Sequence, residues 1–160
     1  MDTLISIALQ FLWAIIGALL GVIIPALIEW WKNKQKVEFA GKWLSSYQGI
    51  DEPPGTWITE KVTVTVGLGG FRLKNAKNSH GYDYTASGSI KEKMHLIGNW
   101  KSQRPQETVF GAFMLTTDGR GRSLYGYWVG PNKDHKRKYA RWVLGRTPED
   151  IERAKGILET

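Results

Sequence analysis

The side chains that could do chemistry here are mostly rings and cations. The chain has no cysteine and only three histidines, His80, His95 and His135, spaced too far apart for a metal-ligand set. It lacks a Gly-rich phosphate loop, a Gly-x-Ser-x-Gly turn and a His-Glu-x-x-His helix, so it reads as a non-enzyme. What recurs is tyrosine and tryptophan among arginine and lysine: Tyr84, Trp100, Tyr125, Tyr127 and Trp128, with Arg72, Lys74 and Arg141. Aromatic faces stack on planar groups, and guanidinium and ammonium groups hold phosphates. Each ring taken alone also has a plainer use as core packing.

Charge frames these residues. The formal net charge is +7, and the excess of Lys and Arg continues well past the N-terminal region. Such a balance suits an anionic lipid surface, an anionic ligand such as a nucleotide, or the cytoplasmic flank of a membrane segment. The third reading covers Lys32, Lys34 and Lys36. It does not cover Arg72, Lys74, Arg120, Arg122 or the run from Lys133 to Lys138, which reads as a solvated loop or a contact for lipid or ligand phosphates.

The element that must hold these groups near a surface is the N-terminal stretch. Thr3 to Ile28 carries no formal charge over 26 residues. As a helix it would be roughly 39 Å long, enough for a hydrocarbon core of about 30 Å. Asp2 and the missing small-x-small site argue for a retained anchor rather than a cleaved leader. Trp30, Trp31 and the three lysines place the cytoplasm after the span, with the N-terminus out. Gly17 and Gly21 form a GxxxG pair, which suits self-association of such helices. Pro25 marks a kink or a tolerated proline near its end. The expected organisation is an anchor at 1–31, a basic linker at 32–38, a β-domain at 39–146 and a C-terminal helix at 147–160.

From Phe39 the period becomes two. The expected strands are 39–48, 56–68, 70–75, 82–90, 94–102, 108–117, 123–130 and 139–146, separated by Pro-, Gly- and charge-rich turns. Ile58, Val62, Val64 and Val66 share one face with Glu60, an acid that must be paired, lie at a mouth or mark a bulge. Gly67 to Gly70 reads as a hairpin turn. Leu96, Gly98 and Trp100 share a face, as do Leu124, Gly126 and Trp128. Thr147 caps the last helix, Pro148 opens it, and Ile151, Ala154, Ile157 and Leu158 form its apolar face. About eight antiparallel strands with glycine-interrupted faces predict a compact closed barrel, all-β and lipocalin-like.

Gly41-x-Trp43, residues 96–102, the paired stretches 111–119 and 124–130, and the closing 139–146 together resemble the membrane-anchored β-barrel effectors of bacterial anti-phage defence. That family usually carries two transmembrane helices, whereas this stretch suffices for one. The resemblance implies a cytoplasmic barrel at the bacterial inner membrane. It implies a cyclic di- or trinucleotide ligand made by a nucleotidyltransferase, clustering through anchor and barrel, and membrane disruption ending in cell death. No DNA or RNA polymer is implied. The ligand contacts would fall on Arg72, Lys74, Tyr84, Trp100, Tyr125, Tyr127, Trp128 and Arg141, with Asn99 and Thr85 as further polar candidates. The resemblance also gives Trp43 a structural role at one barrel end and lets Arg141 pack across it. The competing reading is a membrane-tethered carrier for an apolar molecule, whose interior would be aliphatic.

Overall fold

The computed structural model describes residues 2–34, 39–49, 52–67, 69–75, 83–103, 109–132 and 135–159. The chain divides into two compact units, Met1–Gln35 and Lys36–Thr160.

The first unit is the helix α1, Asp2–Lys34, which runs through Pro25. Its described side chains, 12–28 and Trp30, are nearly all exposed apolar groups. The expected helix is therefore present. Among the described residues, however, no helix is long and apolar enough to cross a membrane.

The second unit is a closed antiparallel barrel followed by a helix. Its strands are β1 Gly41–Gln48, β2 Trp57–Gly67, β3 Gly70–Asn75, β4 Tyr84–Lys91, β5 His95–Ser102, β6 Phe110–Thr117, β7 Ser123–Pro131 and β8 Arg137–Gly145. Each pairs with its neighbour in sequence, and β8 pairs with β1, so no edge is left open. Alternation sets the inner face: Ile58, Glu60, Val62, Val64 and Val66 point inward on β2, and Phe71, Leu73 and Asn75 on β3. Inner glycines pair in register with rings on the next strand: Gly88 with Phe71, Gly98 with Phe113, Gly111 with Trp100, Gly126 with Trp142. A glycine leaves the room that a neighbouring ring fills.

Several boundaries differ from the sequence expectation. Phe39 precedes β1, where its carbonyl accepts the Trp43 Nε1–H at 2.8 Å. Tyr82 lies outside the described residues, and so do Lys133 and Asp134 of the charged run. Arg137 and Lys138 belong to β8 rather than to a loop, because Asn132 closes the connection tightly. Its Oδ1 accepts the Lys136 N–H at 2.8 Å, and its N–H donates to the Lys136 carbonyl at 2.9 Å. The turn from β4 to β5 uses Glu92 and Lys93 at φ of 51° and 57°, with a Met94 N–H to Lys91 carbonyl bond. Lys91 and His95 pair in register, so the connection is a three-residue loop whose first two residues are left-handed without glycine.

The helix α2, Pro148–Glu159, lies across the outside of β8, β7 and β1. Thr147 Oγ1 accepts the Asp150 N–H at 3.3 Å and caps it. Ile151, Ala154 and Leu158 pack on Val143, Leu44, Trp57 and Tyr125. Ile157, expected on that face, is exposed. It follows Ile151 by six residues, which turns it away from the i, i+3, i+7 stripe.

Candidate functional site

The barrel interior differs from end to end. One end is marked by Gly41, Gly67, Gly70, Lys91, His95, Thr117, Ser123 and Gly145; its interior holds Val64, Leu96, Leu115, Leu124 and Leu144, all buried. Trp43 closes this end, as expected of it. The arginine lying over Trp43 is Arg146, with its guanidinium carbon 3.8 Å from the ring centre. Arg146 also donates to the Lys42 carbonyl at 2.9 Å and the Ala40 carbonyl at 3.0 Å. Burial pulls Arg146 below the ordinary arginine value. Arg141, the residue expected here, sits on the outer face and approaches Glu159 at 4.0 Å. Its position alternates with the inward Ala140 and Trp142, so it cannot reach Trp43.

The opposite end, marked by Gln48, Trp57, Asn75, Tyr84, Ser102, Phe110, Pro131 and Arg137, is aromatic and polar. Edge-to-face rings run from mid-barrel to this end. Phe71 meets Phe113 at 5.9 Å, Phe113 meets Trp142 at 5.0 Å, and Trp142 meets Tyr84 at 5.8 Å. Tyr84 meets Tyr47 at 5.9 Å, Tyr47 meets Trp128 at 6.4 Å, and Trp128 meets Trp100 at 5.1 Å. These rings occupy the space that a deeply bound apolar ligand would need, which weighs against the carrier reading.

A polar cluster sits among the rings. The Trp142 Nε1–H donates to Ser45 Oγ at 2.9 Å, and Ser45 Oγ lies 3.1 Å from the Tyr84 hydroxyl. Asn75 Nδ2–H donates to Glu60 Oε2 at 3.4 Å, while Asn75 Oδ1 accepts the Tyr84 N–H at 3.4 Å. Glu60 is thus hydrogen-bonded and lies near this mouth, two of the three alternatives its inward position allowed. Burial, and then the charge of Glu60, push the Tyr84 phenol well above its ordinary 10.0.

That shift sets a pH dependence. Above pH 10.0 the unfolded chain loses the Tyr84 proton while the folded barrel keeps it, so the folded state is disfavoured as pH rises from there toward the folded value. Chemical denaturation between about pH 9 and 11 is expected to show a steeper loss of stability for the parent than for Tyr84→Phe. Parallel slopes in the two proteins would remove Tyr84 from the alkaline transition.

Trp100 and Trp128 form the outermost part of the ring series. The Trp100 indole lies across Gly111 and Gly130, and its Nε1–H donates to the Val129 carbonyl at 3.1 Å. A Cβ on either glycine would collide with that ring. The Trp128 Nε1–H is buried with no acceptor among the described residues. Lys138 stands opposite Gly130 in register, two residues before the inward Ala140. Among the described strand cations, Lys138 alone has inner-face parity, and it is exposed at this rim.

The candidates named from sequence therefore separate. Tyr84, Trp100 and Trp128 come together inside the barrel. Arg72 and Lys74 are exposed on the outer wall of β3, and Thr85 and Asn99 are also on outer positions. Tyr125 lies outside, under α2. Tyr127 is outside and exposed, edge-on to Tyr139 at 6.2 Å. Sequence reasoning missed Tyr47 and Lys138 as companions of the inner rings. Tyr47 was readable from its alternation with Trp43, whereas Lys138 was hidden by the loop reading of its charged run. His95 Nδ1 is 3.0 Å from Thr116 Oγ1 on the outer wall. The chain matches no protein-family model and no curated protein sequence.

Proposed function

We propose that this chain is a membrane-anchored effector whose barrel binds a cyclic di- or trinucleotide at the end bearing Trp100, Trp128 and Lys138. The uncharged run Thr3 to Ile28, with Trp30, Trp31 and the following lysines, supports anchoring at a bacterial inner membrane with the barrel in the cytoplasm. Ligand then controls association of the anchors, and the membrane is disrupted in anti-phage defence alongside a nucleotidyltransferase. The observation that carries the ligand reading is the pairing of an indole platform with an unused buried donor, Trp128 Nε1–H, and a rim cation of inner parity. Bases stack on such rings and phosphates pair with such cations.

Calorimetry of the full chain in detergent micelles with a panel of cyclic di- and trinucleotides tests this. Binding is expected for at least one, and Lys138→Ala should weaken it by roughly ten- to a hundredfold, the loss of one charge-assisted contact worth about 1.5–3 kcal/mol. Trp100→Phe should weaken it less, because a smaller ring remains. Arg72→Ala and Arg141→Ala on the outer wall should leave affinity unchanged. A flat response across the panel overturns the ligand class. Sensitivity to Arg72 and Arg141 instead of Lys138 moves the site to the outer wall.

A further inference from the structure

The outer wall of the barrel has two unlike halves. On β2, β3 and β4 the outward side chains include Thr59, Lys61, Thr63, Thr65, Arg72, Lys74, Thr85, Ser87 and Lys91, with no exposed large apolar group among them. On β5 to β8 the exposed outward groups include five large apolar side chains beside Asn99, Lys101, Ala112 and Arg137: Tyr139 at 79% exposure, Phe110 at 65%, Met114 at 53%, Tyr127 at 47% and Ile97 at 40%. Register makes them one patch. Ile97, Met114, Tyr127 and Arg141 form one row across the four strands, and Asn99, Ala112, Val129 and Tyr139 form the next. Phe110 pairs with Lys101 beside them. The helix α2 covers the adjoining part of β7 and β8 at Tyr125 and Val143 but leaves this part open.

Charge selects what covers the patch. Lys101, Arg137 and Arg141 border it, and no acidic side chain points outward from any described strand of the barrel. At its border Glu159 of α2 approaches Arg141 at 4.0 Å. Exposed aromatics ringed by cations match the headgroup layer of an anionic membrane, where rings enter the acyl boundary and cations stay with the phosphates. We propose that the β5–β8 wall of the barrel docks on an anionic lipid surface. The contact needs neither the nucleotide nor a membrane-spanning α1, since the apolar and basic groups both lie on the barrel.

The absence of cysteine lets a single dye report this. Ala112→Cys lies inside the patch, and Ser87→Cys lies on the polar half of the wall. Each full-length variant, labelled with a nitrobenzoxadiazole dye, is mixed with vesicles of phosphatidylcholine and phosphatidylglycerol carrying nitroxide lipids. The dye at position 112 is expected to be quenched several-fold more than the dye at position 87. The difference should shrink in phosphatidylcholine alone and vanish when Phe110→Ser and Tyr139→Ser are added. Circular dichroism of that variant should stay unchanged, because both replaced side chains are exposed. Equal quenching at the two positions overturns the proposal and leaves undirected charge attraction. A dye at position 112 that is shielded from solvent but not quenched by lipid also overturns it. Disulfide formation between copies of the unlabelled Ala112→Cys variant would then assign the wall to a second copy.

Discussion

Replacing Trp142 with alanine is expected to remove about 3–5 kcal/mol of barrel stability, the range for deleting a large ring from a core. Against a total of about 5–15 kcal/mol for an ordinary domain, this is close to unfolding it. The size follows from position. The Trp142 ring links two halves of the aromatic series, touching Phe113 at 5.0 Å on one side and Tyr84 at 5.8 Å on the other. Its Nε1–H also fixes Ser45, which in turn faces the Tyr84 hydroxyl. Truncation leaves a cavity in the barrel and breaks the polar cluster at the same time. Urea melts of parent and variant measure the loss. A change below about 1 kcal/mol would mean that neighbouring rings collapse into the gap, and that the interior is more plastic than its contacts imply.

If the proposed effector function holds, replacing Gly17 and Gly21 together with leucine abolishes toxicity when the chain is expressed with an active nucleotidyltransferase. The helix itself should tolerate the change, because a Cβ at either position meets nothing within 4 Å. Leucine keeps the segment apolar and raises helix propensity. It also blocks the close approach of two backbones that small residues four apart permit. One apolar helix cannot perforate a bilayer, so damage requires several anchors together. The variant should therefore reach the membrane and bind ligand, yet fail to cross-link through its anchor and fail to arrest growth. Killing equal to that of the parent would show that the glycine pair plays no part in assembly.

Much of the barrel was written in local pattern. Alternation along β2 marks Val62 and Val64 as inward and places Glu60 with them, and both follow from a period of two with no knowledge of partners. Thr147 as a helix cap is a local signal as well, whereas the end role of Trp43 rested on the family resemblance. The uncharged run Thr3 to Ile28 likewise specifies a long helix by itself, and α1 covers it.

What local pattern could not decide is which face counts as inside where both faces are covered. On β8, Val143 and Leu144 are adjacent and both fully buried, one under α2 and one in the barrel. A strand buried on both sides loses its alternation, so the sequence could not tell whether Arg141 or Arg146 crosses Trp43. The same two-sided burial left Tyr125 indistinguishable from an interior ring. Lys138 became an inner-rim cation only because the Asn132 turn extends β8 back to Arg137, a hydrogen-bond outcome that its neighbours Lys136 and Arg137 do not announce. The strand glycines gained meaning only through register. Gly111 is opposite Trp100, and the β6–β7 pairing of Ala112 with Val129 brings Val129 and Gly130 close enough for that indole to lie across both glycines. Periodicity is a property of one strand, whereas register and closure belong to all eight strands at once.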